Sequence, residues 1–197
     1  MVLSAIEQHA SVEDVQREAI GALCVFAKDS SFNRRLIVES NGIRLLLRAM
    51  HQHNTIATIQ EKSADALSKI AMEHKYCELI VAKEGVTIML TSMKAHLSEA
   101  DVQGTACCAL SQNREDTRAR IAEYGGISAV VRAMERHYSV SVVQQWGCHA
   151  LEQFWQPKAH YRSEWHFSNC CCDGSASFGA VCSSTRVSSS LEFILQR

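Results

Sequence analysis

Proline is nearly missing from this chain: one residue in 197, Pro157. Nothing before it interrupts the main-chain hydrogen bonding of long helices, since proline alone lacks the N–H and clashes with the preceding turn. An excess of either charge is missing too, with 20 Lys and Arg against 21 Asp and Glu. A nucleic-acid binder needs surplus positive charge to displace counterions from phosphates, so no nucleic-acid partner is expected. No run approaches the roughly 18 uninterrupted apolar residues of a membrane span. Glu7, His9, Glu13 and Asp14 break up the N-terminus where a signal peptide would place its apolar stretch. The expectation is an intracellular, cytoplasmic protein. No segment alternates apolar and polar residues over a strand's length, so no sheet is expected. G-x-S-x-G, the P-loop, G-x-G-x-x-G and H-E-x-x-H are all absent. No cofactor, metal or small-molecule substrate is therefore expected, and no acid–base pair can be placed.

What is present is a repeat. VQREAIGAL from Val15, IQEKSADAL from Ile59, VQGTACCAL from Val102 and VQQWGCHAL from Val143 align at offsets of 44, 43 and 41 residues. Each carries an apolar residue, then Gln (Gln16, Gln60, Gln103, Gln144), then an Ala-Leu pair. A second series, GIRLLLRAM from Gly42, GVTIMLTSM from Gly85 and GISAVVRAM from Gly126, ends in a Met nine residues before the next start. Ile6 holds that offset before Val15, so MVLSAI is the end of a similar element. A weaker third series, NRRLIVESN, YCELIVAKE and TRARIAEYG, precedes the glycines.

Three helices per repeat fit these patterns. Val15, Ala19, Ala22, Leu23 and Phe26 form one apolar stripe on a 3.6-residue period. Small alanines let neighbouring helices approach, and leucines fill the space between them. Gly42, Gly85 and Gly126 suit sharp turns, because glycine accepts positive φ cheaply. The spacing from Leu110 to Gly126 is two to three residues shorter than in the earlier copies, which predicts a shortened third helix or turn near Asn113.

A period of about 40 residues with two or three helices per unit is the armadillo/HEAT class. The order of Asn33-Arg34 with Ile37, Gly125-Gly126-Ile127 and the VQ..A..AL segments resembles the armadillo repeat family. The resemblance implies an all-α fold: a right-handed α-solenoid of three-helix repeats over residues 1–155, with a partial unit at 1–30 and units at about 31–73, 74–113 and 114–155. Residues 156–197 carry no repeat copy, hold nine Ser and four Cys, and read as a disordered or loosely packed tail whose LEFIL run (Leu191 to Leu195) is its apolar segment. That change of character also fits a misread exon boundary or frameshift.

Candidate chemistry is sparse. His9, His53, His96 and His137 recur three positions after Ile6, Met50, Met93 and Met134. They read either as a metal or pH ladder or, the favoured account, as caps on helix C-termini. Nine cysteines occur. Cys24, Cys77, Cys107, Cys108 and Cys148 sit in helical patterns as small apolar residues. His160, His166, Cys170, Cys171, Cys172 and Cys182 lack the C-x-x-C spacing of a tetrahedral zinc site.

In armadillo proteins the third helices line a concave groove, and the importin-α branch carries there a Trp and, four residues on, an Asn that bind extended peptides. Here the Trp positions hold Gly21, Asp65, Cys108 and His149, and the Asn positions hold Val25, Lys69, Gln112 and Gln153. Nuclear-signal binding of that type is therefore not expected. The face carrying Arg17, Glu18, Glu61, Lys62 and Lys69 is mixed in sign, and Trp146 is the anchor candidate, with core packing as its alternative. The candidate groove is Arg17, Gly21, Val25, Lys62, Asp65, Lys69, Gln112, Trp146, His149 and Gln153. The expected function is a non-catalytic scaffold or adaptor for a protein or peptide; a fragment of a larger armadillo protein is the alternative, and an enzyme ranks below both.

Overall fold

A computed structural model of the protein describes residues 1–112 and 115–154. The expectations for residues 155–197 lie outside them. Eleven α-helices and no strand occur among the described residues, so the chain is all-α. In order these are α1 (Val2–Gln8), α2 (Glu13–Lys28), α3 (Ser31–Glu39), α4 (Gly42–Gln52), α5 (Ala57–Ala71), α6 (Cys77–Ala82), α7 (Gly85–Ala95), α8 (Ala100–Ser111), α9 (Glu115–Glu123), α10 (Gly126–Arg136) and α11 (Ser141–Phe154), with a 3-10 turn at His74–Tyr76 before α6. Each repeated sequence segment is thus a helix. Equivalent helices pack in series: α2 on α5, α5 on α8, α8 on α11, and likewise α1 on α4, α4 on α7, α7 on α10. The short Leu110-to-Gly126 spacing shows in α8, which has 12 residues where α2 has 16 and α5 has 15.

The apolar stripes build the core. Leu67, Leu110, Ile59 and Ile70 have no measurable exposure, and burying a side chain of that size contributes about 1.5–3 kcal/mol. Helix ends follow local chemistry. Glu13 and Asp14 occupy the first turn of α2 and Lys28 its last, matching the helix dipole. Ser30 caps α3, its Oγ accepting from the Asn33 N–H at 3.1 Å.

The turn from each second helix into its third is built identically four times. The amide Nε2 of Gln16 donates to the carbonyls of Ile6 and His9, both at 2.9 Å. Gln60 does the same to Met50 and His53, Gln103 to Met93 and His96, and Gln144 to Met134 and His137. A helix leaves its last four carbonyls without internal partners; a buried glutamine from the following helix satisfies one of them and also closes the turn.

The repeated histidines are the C-cap residues of α1, α4, α7 and α10, as the capping account expects, but their rings do something else. Nε2 of His53 bonds the carbonyl of Ala10 at 2.7 Å, that of His96 bonds Asn54 at 2.7 Å and that of His137 bonds Leu97 at 2.9 Å. Each acceptor is the residue just after the previous repeat's histidine. The imidazole staples one repeat to its predecessor rather than capping its own helix.

The glycine expectation needs correcting. Positive φ falls on the preceding residues, Asn41 (60°), Glu84 (62°) and Gly125 (84°), while Gly42, Gly85 and Gly126 are first helical residues. Their requirement is space: a Cβ on Gly85 would sit 2.6 Å from Ile80 Cγ2 and 2.7 Å from the Ile80 carbonyl oxygen. The missing side chain lets each second helix start against the last turn of the first.

Candidate protein-binding face

The third helices α2, α5 and α11 carry three groove candidates each, and the tenth, Gln112, follows α8 as its C-cap. On α2, Arg17 is committed to its own helix, its Nη2 donating to Asp14 at 2.7 Å and its Nε to Glu18 at 3.3 Å. Those carboxylates raise its pKa further. Val25 is exposed. Gly21 opens a notch that the Lys62 side chain of α5 crosses: a methyl group on Gly21 would lie 3.1 Å from Lys62 Nζ.

On α5, Asp65 and Lys69 form an ion pair one turn apart. Cys24 of α2 and Cys108 of α8 flank them. Cys24 Sγ donates to the Lys62 carbonyl at 3.1 Å, and burial, helped by the Asp65 charge, pushes its thiol up to about 12. Burial raises Cys108 as well, while hydrogen bonds with Ser68 and Gln112 pull the other way. Cys107, beneath the face, is likewise pushed by burial to about 12. These thiols stay protonated at neutral pH, and a protonated thiol is neither a nucleophile nor a good metal ligand. Glu61 is raised by burial and then by the Asp101 charge.

At the far end, Trp146 and His149 lie one turn apart on α11 with ring centroids 5.8 Å apart and planes at 51°. Trp146 is half-buried and packs partly against the core. The Gln153 Oε1 accepts from Arg118 Nη2 of α9 at 2.9 Å. That bond removes one of the amide's two functions from any ligand, leaving its N–H donors.

Sequence reasoning missed Arg118 altogether, and the contacts of Arg34 and Cys77 with it. All three stand eight residues before the repeat glycines, and each joins its first helix to the end of the third helix of its own repeat. Arg34 donates to the Ala27 carbonyl at 2.9 Å and pairs with Glu73 at 2.9 Å; Cys77 Sγ donates to the Ala71 and Gln112 carbonyls. The fixed eight-residue offset was the available signal, blurred by Cys standing where two copies carry Arg. A solvent-open notch of about 320 Å³ lies elsewhere, between α3 and the 3-10 turn, lined by Ser31, Phe32, Arg35, Glu73 and Lys75. It places no acid–base pair, since its carboxylate Glu73 is engaged by Arg34 and held below its usual range by that hydrogen bond. Among the described residues no cluster of three or more His, Cys, Asp or Glu is placed to hold a metal, and no helix is long and apolar enough to cross a membrane.

Comparison with known proteins adds the fold and nothing about activity. No family model matches the chain, and no curated protein matches it. Two crystal structures of engineered proteins from the Northeast Structural Genomics Consortium superpose on it with a TM-score of 0.68 at 22% identity, each over 78% of this chain. The chain spans 62% of the length of one and 37% of the other.

Proposed function

We propose that this chain is an armadillo-like α-solenoid that serves as a non-catalytic scaffold, holding an extended peptide or a helix of a partner protein along its third helices. The observation that supports this reading is the unbroken packing series α2, α5, α8, α11, in which α5 carries Lys62, Asp65 and Lys69 and α11 carries Trp146 and His149. Such a surface recognises by many modest contacts spread over several repeats. With Lys69 tied to Asp65 and Arg17 to Asp14, the face has no large field of one sign, so the fitting ligand is a mixed-charge segment with an aromatic or aliphatic residue for Trp146. Cys24, Cys107 and Cys108 are free thiols, which goes with a cytoplasmic setting.

The test is selection of binding peptides from a random display library on the full chain, followed by titration of a selected peptide against Trp146→Ala and Lys69→Glu. Loss of a buried interface Trp typically costs 2 kcal/mol or more, so an affinity loss of about tenfold or greater is expected with helicity intact. Unchanged affinity in both variants would remove this face as the site.

A further inference from the structure

The notch between α3 and the 3-10 turn lies where two consecutive repeats meet, and both of its walls belong to described helices. Phe32, in the first turn of α3, is 58% exposed. The equivalent position one repeat later, 43 residues on, is Lys75. A single exposed aromatic residue on a flat surface is ordinary. This one stands where the next copy carries a cation, and it lines a concavity of about 320 Å³. Pockets that take small ligands begin at roughly 300 Å³, so the notch has room for one side chain or a group of that size.

The two cations that line it are held on aromatic rings. The Arg35 guanidinium lies 5.3 Å from the centroid of Phe32, and Lys75 Nζ lies 4.9 Å from the centroid of Tyr76. Such contacts restrict long side chains whose freedom a ligand would otherwise have to remove. Arg35 Nε is 3.6 Å from Glu39 one turn on, and both side chains are more than half exposed, so water screens that pair. The terminal nitrogens of Arg35 and the Nζ of Lys75 form no ion pair among the described residues. The one carboxylate in the lining, Glu73, does not answer them: it accepts from Arg34 Nη2 at 2.9 Å, and the Arg34 side chain is nearly buried.

We propose that this notch binds an anion carried on an aromatic ring, the chemistry of a phosphotyrosine side chain: the ring packs against Phe32, and the phosphate oxygens accept from Arg35 and Lys75. A bare anion would leave Phe32 in water, and an uncharged ring would leave both cations unanswered. Arg35 covers one face of Phe32, and the exposure that remains gives a second ring an offset or edge contact. Phosphate supplies three acceptor oxygens, enough for the planar fork of an arginine and a separate ammonium donor. The site lies apart from the third-helix face and does not use the peptide-holding reading of that face.

Amide NMR of the full chain during titration with N-acetyl-phosphotyrosine amide tests it, with N-acetyl-tyrosine amide and inorganic phosphate as the two halves of the ligand. The expected result is a saturable shift at residues 31–35 and 73–76, and binding of either half weaker by about tenfold or more. Phe32→Ala and Lys75→Glu should each weaken the phosphotyrosine amide by about tenfold, the effect of losing one charged hydrogen bond or one ring contact with its buried area. Both residues are exposed, so helicity by circular dichroism should be unchanged; if either variant loses it, Arg35→Gln takes its place. Inorganic phosphate binding as tightly as the whole ligand would reduce the notch to surface charge and overturn the proposal. Equal binding of the tyrosine amide would overturn it too, as would an absence of saturable shifts at these residues.

Discussion

Replacing Gln103 by Met keeps the side-chain length and flexibility and removes both donors of one turn clamp. Gln103 is 1% exposed, and its amide donates to the Met93 carbonyl at 2.9 Å and the His96 carbonyl at 2.8 Å. The two acceptors are not equivalent. The His96 carbonyl also accepts from the Glu99 N–H at 3.1 Å, so it loses only one of two partners, about 1 kcal/mol. Met93 lies in the last turn of α7, beyond the reach of that helix's own donors, and its carbonyl is left buried and unpaired, which costs about 1–3 kcal/mol. Methionine recovers part of this because a thioether is buried more cheaply than an amide. The expected net loss is about 2 kcal/mol, read by urea unfolding as a lower midpoint at unchanged slope; for a chain of this size it corresponds to a fall of about 4–8 °C in Tm. A loss under about 0.5 kcal/mol would mean that water or a relaxed turn satisfies Met93 as well as Gln103 does, and the clamp would not be what fixes the angle between second and third helices.

Two neighbouring substitutions should act in opposite directions. Gly85→Ala drives a methyl into Ile80 and should destabilise by about 1–3 kcal/mol, whereas Glu84→Gly, at φ 62°, should stabilise by up to about 1 kcal/mol by relieving the left-handed conformation; thermal unfolding of the two side by side checks the signs. His96→Phe should lower stability by about 1 kcal/mol through loss of its bond to Asn54, read as a lower midpoint in urea unfolding. Glu61→Gln should raise stability at pH 7. Burial raises the folded pKa of Glu61 above its unfolded value, so the ionised carboxylate opposes folding as pH rises through that range, and the advantage of Gln should fade as pH falls and Glu61 takes up its proton; a constant gain down to pH 3 would refute the assignment.

Helix existence, repeat phase and the shortened α8 were legible in the sequence because they depend on spacing, and spacing on a 3.6-residue period fixes which side chains share a face. The identity of hydrogen-bond partners was not, because it depends on how loops bring residues together. The four glutamines stood out as a pattern, yet nothing in the sequence shows that an amide ten residues on reaches back to the carbonyl of Met50 or Met93. The glycines misled in an instructive way. Positive φ falls on Asn41, Glu84 and Gly125, three residue types with no common signature, while the invariant glycine beside them answers a crowding problem posed by Ile37, Ile80 and Ile121. On the candidate face the sequence located Trp146, Lys69 and Gln153 but not the Arg118 bond that occupies Gln153, since the two residues belong to different helices of the repeat.

The glutamine bonds begin and end inside one repeat, whereas the histidine bonds cross to its neighbour, and the two residues stand only seven apart in each copy. Self-energy and coupling are therefore written into separate letters of the same short word. Duplicating or excising one such word carries a donor and an acceptor with it, so the seam heals whatever the copy number. A gene of this design can change length by recombination without inventing a new junction, and drift at the histidine alone would loosen the cooperativity of the array while leaving each unit's own turn intact.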